Sequence, residues 1–375
     1  MSAGREIRVH ALIDSLTWGG AEALLYDFAT VAPSERIRLS VGFLKDARGS
    51  PAALRLRKIG IDPVLAPIPQ RLSPSALQMV RQHISQMRPD LVHTHLGSSD
   101  VLGGIAARSL RIPVVSTIHA AEWGQDPRER LKARLTALVR RRCDSRVIAV
   151  SDSARMRYLE QRWDTPDRVI RVYNGILGKA EPGAGRRVRA ELGLEPDHFV
   201  VVMTSRLTEG KGHDLAMRAV AALRERFPEL WLLMLGGGKM QDELEGRAAA
   251  ILGEAAIFGG YRQDVMSALD AADVLLHPTR TDAFPTSLLE AMAASVPVVA
   301  TAVDGVLEIV EPGRTGLLLE SDPTSVSIAE AIETLLVNPE MRRGLGTRGR
   351  ERFERDFTAE RWIQRIRSVY ETIIA

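Results

Sequence analysis

The sequence predicts an α/β protein built of two doubly wound domains, each with a parallel sheet covered by helices on both faces. Three observations favour this fold. The length of 375 residues suits two domains of ordinary size. Short apolar runs alternate with longer amphipathic segments, as they do in repeated strand–helix–strand units. The same alternation starts again after a segment rich in glycine and proline, which indicates a boundary between two halves.

In the first half, short apolar runs predict the strands of one sheet. Most of them are bounded by Gly, Pro, Asp or Ser and followed by a stretch with helical period. The predicted strands are residues 7–13, 39–44, 91–93, 114–118, 147–150 and 169–172. We therefore expect a first domain over residues 1–175.

The second half repeats the pattern. Its predicted strands are residues 200–204, 231–235, 256–258, 274–277 and 298–301. Between the halves, residues 174–196 are dense in glycine and proline, and we expect a linker there with a hinge near residue 175. Residues 338–375 have helical period and are rich in Arg and Glu. A second domain over residues 176–356 follows.

The composition is that of an ordinary globular chain. Hydrophobic residues make up 45% and charged residues 26%, which suffices to bury two cores. No run of about 18 apolar residues is present, and the first apolar run meets Asp14 too soon for a secretory signal. The single cysteine, Cys143, cannot form an internal disulfide. We expect a cytoplasmic protein, and a net charge of +3 with only 5% aromatic residues disfavours nucleic-acid binding.

The loop after the first predicted strand is a candidate anion site. Ligands of doubly wound sheets bind at the carboxyl ends of the strands, where loops lead into helices. Gly19 and Gly20 open such a helix, and paired glycines let backbone N–H groups approach a phosphate. The same glycines can also make a tight turn, and this fragment alone does not decide between the two.

A loop of the second half carries two cations. After residue 204 the chain holds Arg206 and Lys211 beside two glycines. Two cations five residues apart on such a loop can both point at one pyrophosphate. Surface ion pairing is the alternative.

Two carboxylates follow the predicted strand at residues 274–277. Asp282 precedes a predicted helix, and Glu290 lies about one turn inside it. Carboxylates in this position can accept hydrogen bonds from sugar hydroxyls, while the N–H groups of residues 283–287 face an anion. Helix capping by Asp282 and solvation of Glu290 are the alternatives.

Taken together, these segments resemble the retaining glycosyltransferases of family 4, which have the GT-B fold. The matching motifs run through nearly the whole chain in the order of that family: residues 19–22, 150–153, 173–176, 205–207 with 211–212, 236–238 with 243–244, and 282–290. The resemblance implies two Rossmann-like domains facing across a cleft, the first on the acceptor side and the second binding the donor. It also implies that a C-terminal helix, residues 357–375, packs back on the first domain.

The resemblance implies a role for each matching position. Arg206 and Lys211 would hold the donor pyrophosphate and stabilise the leaving group. Glu290 would hydrogen-bond the donor ribose, and Asp282 would touch the 3- and 4-hydroxyls of the transferred sugar. His119, at a strand end, would face that sugar, although a lone histidine is more often structural. The other donor contacts would come from Gly19 and Gly20, from Gly260, Tyr261 and Arg262 beside the nucleobase, and from the backbone amides of Ala283, Phe284, Pro285 and Thr286.

The resemblance also implies a mechanism. It is retention of the anomeric configuration by front-face attack, in which a donor phosphate oxygen takes the acceptor proton. Arg206 and Lys211 would replace a divalent cation, so no metal or other cofactor is expected. Asp282 departs from the pattern, because Glu is usual there and Asp is one methylene shorter, and Ala283 stands where Gly is common. The transferred sugar, hexosyl or N-acetylhexosaminyl, therefore stays open.

The acceptor also stays open among small natural products, glycans and lipid-linked molecules. One helical stripe of the basic segment 128–142 carries Leu131, Leu135, Leu138 and Val139. Such a helix can touch an anionic membrane surface, or its stripe can pack on the sheet of the domain. By position, Ser98, Ser99 and Asp100 are candidates for the acceptor side.

Other functions are open or disfavoured. A catalytically silent nucleotide-sugar-binding regulator need not keep all four charged donor residues, and an epimerase of the same fold would be expected to use other carboxylates and histidines. Neither half has G-x-G-x-x-G after its first strand, which disfavours a dinucleotide oxidoreductase. His93 and His95 are too few for a catalytic zinc, which usually takes three protein ligands.

Overall fold

The computed structural model describes residues 5–17, 19–66, 68, 73–119, 127–179, 181 and 183–374. The chain divides into two compact units. Unit 1 runs to Leu177 and resumes at Ala359, and unit 2 is Gly178–Thr358. The predicted boundaries were residues 175 and 356.

The described part of unit 1 contains a seven-stranded sheet, and helices connect most of its successive strands. The strands are β1 (Ile7–Ile13), β2 (Ile37–Phe43), β3 (Val64–Leu65), β4 (Leu91–His95), β5 (Val114–Ile118), β6 (Arg146–Ala149) and β7 (Val169–Arg171). The helices are α1 (Gly20–Val31), α2 (Pro51–Lys58), α3 (Pro74–Met87), α4 (Gly97–Ser109), α5 (Pro127–Cys143) and α6 (Asp152–Glu160). All strand pairs are parallel in the order β3-β2-β1-β4-β5-β6-β7.

Strand β1 shows why this sheet is covered on both faces. Successive side chains of a strand point to opposite faces. Leu12 belongs to a core cluster with residues of α3 and α4, whereas Ala11 and Ile13 belong to a second cluster with residues of α1 and α2. Helices therefore bury both faces of the sheet, which explains the nearly continuous apolar runs of its strands.

Unit 2 repeats the architecture with six parallel strands in the order β10-β9-β8-β11-β12-β13. The strands are β8 (Phe199–Thr204), β9 (Leu230–Leu235), β10 (Ala256–Gly260), β11 (Val274–His277), β12 (Val298–Thr301) and β13 (Gly316–Leu319). The helices are α7 (Ala184–Glu191), α8 (His213–Arg224), α9 (Gln241–Leu252), α10 (Val265–Asp270), α11 (Thr286–Ala293), α12 (Val306–Ile309), α13 (Ser325–Val337) and α14 (Pro339–Asp356). The strand order reverses between β8 and β11, and ligands of such sheets bind at this switch point.

The last helix, α15 (Ala359–Ile374), belongs to unit 1. Its Trp362 packs edge-on against Phe28 of α1, with ring centroids 5.7 Å apart. Tyr370 is fully buried, and its hydroxyl hydrogen-bonds with His93 Nδ1 at 2.6 Å. These contacts make α15 part of the unit 1 core.

The linker prediction was wrong in part, because α7 lies inside residues 174–196. Gly185 explains the error. A Cβ on Gly185 would lie 2.4 Å from the carbonyl oxygen of Asp270, so this glycine permits close packing of α7 rather than flexibility. Val188 is buried on the same helix. Strands β3 and β13 were not predicted.

None of the helices in the described ranges is long and apolar enough to cross a membrane.

Candidate active site

Three loops meet at the switch point of unit 2, and glycines bring them into contact. A Cβ on Gly236 would lie 2.1 Å from the carbonyl oxygen of Ser205, and one on Gly238 would lie 2.3 Å from that of Leu207. Gly212 has a φ of 76°, and its Cβ would lie 2.3 Å from the carbonyl oxygen of Pro278. The loops after β8, β9 and β11 therefore approach so closely that side chains at these three positions are excluded.

This packing brings Lys211 to Asp282. Lys211 Nζ donates to Asp282 Oδ2 at 2.9 Å and to Thr279 Oγ1 at 3.3 Å. Both members of the ion pair are largely buried, with side-chain exposures of 17% and 22%. The two residues are 71 positions apart in the chain, and the structure joins them in one charged pair.

His277 is a further member of this cluster that the sequence analysis did not single out. It ends β11, is 4% exposed, and its Nε2 lies 3.6 Å from Asp282 Oδ2. Its Nε2 has no hydrogen-bond partner among the described residues. Burial acts to raise the pKa of Asp282, but the polar contact with His277 and the charge of Lys211 outweigh burial and hold this pKa well below its ordinary value. Asp282 is therefore an ionised carboxylate at neutral pH.

Arg206 differs from Lys211 in having an open guanidinium. The residue is exposed, and its side chain makes no hydrogen bond or ion pair with any residue that the structure describes. It follows β8 directly, on the loop that also carries Lys211. The same loop thus carries one cation with an ion-pair partner and one cation with none among the described residues.

The segment from Ala283 to Glu290 leads into α11. Phe284 is buried against Phe357, with ring centroids 5.9 Å apart, so its side chain is a core group. Pro285 was wrongly included among the backbone donors, because proline has no N–H. Thr286 begins α11 and Glu290 is its fifth residue, both partly buried. The first-turn N–H groups of a helix lack partners within the helix, so those from Thr286 onwards can face a ligand.

The backbone just before α11 is fixed from the neighbouring loop. Gly305 N donates to the carbonyl oxygen of Asp282 at 3.1 Å, and a Cβ on Gly305 would lie 1.9 Å from the carbonyl oxygen of Ala283. Glycine is therefore required at position 305 for this approach. The contact holds Asp282 at its position beside Lys211.

The predicted base-side residues differ in what they offer. Gly260 ends β10 with a φ of 60° and accepts a hydrogen bond from Gly236 N at 2.8 Å. Tyr261 is 50% exposed, and its ring lies against Gly237. Arg262 is bound by the carboxylates of Glu191 and Asp264 through four hydrogen bonds of 2.7–3.0 Å. Tyr261 thus keeps half of its side chain exposed, whereas the Arg262 guanidinium ties α7 to the loop after β10.

In unit 1, Gly19 precedes α1 and Gly20 begins it, but a carboxylate lies beside these glycines. A Cβ on Gly19 would lie 2.4 Å from Glu22 Oε2. A phosphate at this helix end would meet the negative charge of Glu22, so the geometry favours the tight-turn interpretation of these glycines. Asp14 of the same loop accepts hydrogen bonds from Ser98 N and Ser99 N at the start of α4.

His119 belongs to a group of histidines at the ends of β4 and β5. Its Nε2 hydrogen-bonds with His95 Nδ1 at 3.0 Å, and the rings of His93 and His95 are 4.2 Å apart. All three line a pocket of unit 1 together with Tyr370. Burial, and then the charge of Arg140, lowers the pKa of His119 to about 4, so the imidazole is neutral at pH 7. Within the described ranges, no group of three or more His, Cys, Asp or Glu side chains is placed to hold a metal ion.

The prediction that Ser99 and Asp100 lie on the acceptor side was wrong. Both are fully buried in the first turn of α4. Asp100 accepts from Thr94 Oγ1 at 2.5 Å and pairs with Arg140 of α5. These side chains therefore bind elements of unit 1 together and have no surface to offer a ligand.

The comparisons with known proteins cover both units. The family described as Glycosyl transferases group 1 matches residues 186–352, and the family described as Glycosyltransferase Family 4 matches residues 18–176. The chain belongs to the family 4 glycosyltransferases. The prediction of a GT-B fold with two Rossmann-like domains is confirmed.

This glycosyltransferase is similar to several known proteins. It is 32% identical to the D-inositol 3-phosphate glycosyltransferase of Actinosynnema mirum over 281 residues, which are 68% of this chain and 66% of the relative. It is 29% identical to the alpha-maltose-1-phosphate synthase of Mycolicibacterium smegmatis over 314 residues, 76% of this chain and 79% of the relative. Among solved structures, Anabaena HepE in complex with UDP-glucose superposes with a TM-score of 0.84 at 24% identity, over 98% of this chain and 100% of HepE.

The geometry of the glycosyltransferase thus joins some predicted residues and separates others. In unit 2, the loops that carry Arg206, Lys211 and Asp282 share one contact region with His277 and Thr279. His277 and Thr279 had a signal in the sequence, since they flank the end of a buried strand just before Asp282. His119 belongs to the separate strand-end group of unit 1.

Proposed function

We propose that this glycosyltransferase moves a sugar from a nucleoside diphosphate sugar to an acceptor hydroxyl with retention of the anomeric configuration. The observation that carries the proposal is the cluster at the ends of β8 and β11, where Lys211 and the open Arg206 share a loop beside ionised Asp282. Two cations and one carboxylate are what a pyrophosphate and a polyhydroxyl ring require. The HepE structures, which hold UDP, UDP with glucose, or UDP-glucose, support this class of donor.

Lys211 has a hydrogen-bonding capacity that suits the proposal. Its ammonium carries three protons, and Asp282 and Thr279 take two of them. The third is available for a pyrophosphate oxygen. Lys211 would therefore link the carboxylate that binds the sugar to the phosphate that leaves it.

Bond breaking places negative charge on the departing pyrophosphate. Arg206, with no partner among the described residues, would bind that charge as it develops. As the bond from the anomeric carbon to the phosphate oxygen breaks, the acceptor oxygen bonds to the anomeric carbon on the same face, and the departing phosphate takes the proton of the acceptor hydroxyl. Protein side chains then orient and stabilise the groups, and none forms a covalent bond.

We propose further that Arg206 and Lys211 replace a divalent cation. Activity in EDTA should then equal activity in buffer with added Mg²⁺ or Mn²⁺. The rate of nucleoside diphosphate release measures the activity in EDTA. The chelator is then dialysed away, each metal is added back, and the rate is measured again. Complete loss in EDTA with recovery on adding metal would contradict the proposal.

The acceptor proposed is a hydroxyl compound, either a small natural product, a glycan or a lipid-linked sugar. The neutral imidazole of His119 can both donate and accept a hydrogen bond, which suits an uncharged sugar hydroxyl. Donor groups considered are hexosyl and N-acetylhexosaminyl, since Asp282 leaves the identity of the sugar open.

A thermal-shift panel of nucleoside diphosphate sugars tests the proposal directly. A ligand at 100 times its dissociation constant stabilises a protein by about 2.7 kcal/mol. We expect one nucleotide sugar to raise the melting temperature, and Lys211→Ala to abolish that shift while Arg218→Ala, an exposed change on α8, keeps it. Nucleoside diphosphate should be released only when acceptor is added. A shift without transfer would show a silent binder, an epimerised donor would show an epimerase, and no shift with any donor would contradict the proposal entirely.

A further inference from the structure

Helix α5 is held in one rotational setting by contacts on its inner face. Arg140 pairs with the fully buried Asp100 of α4. A Cβ on Gly104 of α4 would lie 3.3 Å from Val139 Cγ1 and 3.5 Å from Cys143 Cβ, so the two helices are in close contact. Thr136 and Ala137 are the buried residues of α5. These contacts determine which side of α5 faces solvent.

The solvent side carries the leucine stripe. Leu131, Leu135 and Leu138 are 59%, 53% and 44% exposed. The spacing i, i+4, i+7 places them in one row along the helix. Of the two alternatives for this stripe, the exposure of its leucines contradicts packing on the sheet, and among the four stripe residues only Val139 is partly covered.

Basic side chains surround these leucines. Besides the buried pair of Arg140, six basic residues lie on α5 and are exposed: Arg128, Arg130, Lys132, Arg134, Arg141 and Arg142. Glu129 is the one acidic residue within the sequence of the helix. By helical spacing, Arg134 and Arg142 lie next to the leucine row, close enough for their aliphatic stems to extend the apolar surface.

We propose that the outer face of α5 docks on an anionic lipid bilayer. The leucines would enter the boundary between headgroups and acyl chains, and the arginines would remain among the anionic headgroups. A nucleic acid fits this face less well, because the leucines would lie against a polyanion and α5 has no aromatic side chain on which bases could stack. A central apolar row flanked by basic side chains matches the boundary between anionic headgroups and acyl chains.

This proposal does not depend on the proposed reaction, and its test needs neither donor nor acceptor. The full chain is floated with vesicles of phosphatidylcholine alone and of phosphatidylcholine with one third phosphatidylglycerol. We expect binding to the second vesicle only, weakened by added salt because the headgroup attraction is screened. A basic residue near an anionic surface contributes about fivefold in affinity, so Arg134→Gln/Arg142→Gln should bind roughly 25-fold more weakly.

The leucines give a second variant with a matched control. Leu131→Asn/Leu135→Asn should bind at least tenfold more weakly, since each leucine that leaves water contributes about that factor or more. Leu307→Asn, an exposed leucine of unit 2 at 55%, and Arg343→Gln, an exposed arginine of α14, should bind like the unaltered chain. Far-ultraviolet circular dichroism checks that each variant folds.

Every other outcome contradicts the proposal. Failure of the unaltered chain to float with anionic vesicles, at any salt concentration, overturns it without reference to a variant. Equal binding by the α5 variants and the controls would show that a surface other than α5 binds the vesicles. Binding of a single-stranded oligonucleotide in place of vesicles, or a leucine-dependent dimer that does not float, assigns the face to a different partner. None of these outcomes affects the thermal-shift test of donor binding, which is interpreted independently.

Discussion

At the residue scale, the contact between Lys211 and Asp282 has a consequence for mutagenesis. Removing the ammonium eliminates the proposed pyrophosphate contact and also takes away the cation that pairs with Asp282. We expect Lys211→Ala and Arg206→Ala each to lower kcat/KM at least by about 10²–10³, the usual loss for one preorganised charge contact. Steady-state release of nucleoside diphosphate measures it.

The fold should survive these substitutions, because both residues lie on a loop rather than in a core. Arg218→Ala, exposed on α8 and away from the loop, is the matched control and should keep the parent rate. Turnover near the parent rate in either of the two loop variants would remove the pyrophosphate role from that residue.

The buried histidines predict an acid-sensitive contribution to the stability of unit 1. Burial is the main cause that lowers the pKa of His93 to about 3 and that of His119 to about 4, against about 6.5 for an unfolded histidine. At these two histidines the unfolded chain therefore binds more protons below about pH 6.5, and the stability that they contribute is lost as the pH falls towards 4. The buried Asp27, whose pKa is raised to about 7, acts in the opposite direction. Each histidine contributes a slope of at most about 1.4 kcal/mol per pH unit in that range.

Urea unfolding at several pH values checks this expectation. His119→Asn should reduce the slope between pH 6 and pH 4.5 by up to the share of one histidine. Between pH 7.5 and pH 8.5, where imidazoles are neutral in both states, the variant and parent slopes should coincide. An unchanged slope in the acid range would show that His119 takes up a proton as readily in the folded chain as in the unfolded one.

At the element scale, substitutions at two glycines of the same loop distinguish the cost of backbone strain from the cost of lost close packing. Gly212 and Gly210 both have positive φ values, 76° and 82°. A Cβ on Gly212 would meet a backbone oxygen, whereas one on Gly210 would meet nothing within 4 Å. Gly210→Ala should therefore cost only the left-handed conformation, about 1–2 kcal/mol, and Gly212→Ala clearly more.

Activity should follow the same order. Gly212→Ala must push the loop away from Pro278, and this shift moves Lys211 away from Asp282. We therefore expect this variant to lose both donor binding and stability. Chemical denaturation and the donor thermal shift measure the two effects. Equal effects of the two substitutions would mean that the loops after β8 and β11 need not touch.

Most elements were predictable because their signals are local. Strands such as residues 7–13, 114–118 and 274–277 were predicted with the bounds found, since each is a largely buried and mostly apolar run bounded by proline, histidine or an acidic residue. β3 was not, because it is two residues long and Val64 is exposed. The periodicity of α5 identified a leucine row but could not say which side faces the protein, since that is decided by Gly104 and Asp100 of another helix.

The candidate site was predictable in type but not in arrangement. Arg206, Lys211 and Asp282 were identified from loop position and motif. The contact between Lys211 and Asp282, however, depends on glycines in three separate loops and on strand order, which a single sequence does not fix. His277 was missed because a histidine that ends a buried run looks like part of the strand.

At the scale of the whole molecule, α15 makes unit 1 depend on the end of the chain. Truncation after Asp356 removes Trp362, Ile363, Ile366 and Tyr370, all buried in unit 1. Loss of one large aromatic core side chain alone costs about 3–5 kcal/mol, so we expect the truncated chain to be markedly less stable and to turn over more slowly. All proposed donor residues of unit 2 remain in it.

Trp362→Ala is the milder form of the same change. It should lower the unfolding free energy of unit 1 by those few kcal/mol while α15 stays attached. Hydrogen exchange, which reports each unit separately, should show loss of protection in α1 and β4 before unit 2. Full stability and activity after truncation would contradict a structural role for α15.

The return of α15 also bears on how the protein is made. A ribosome delivers the chain from the amino end, and domains fold as units when their last segment emerges. Unit 2 is continuous and can close as soon as residue 358 is out, whereas His93 must wait for Tyr370, 277 residues later. The first unit to be synthesised is therefore the last to be completed. Until then, the apolar surface around Phe28 that α15 covers stays exposed to chaperones and proteases.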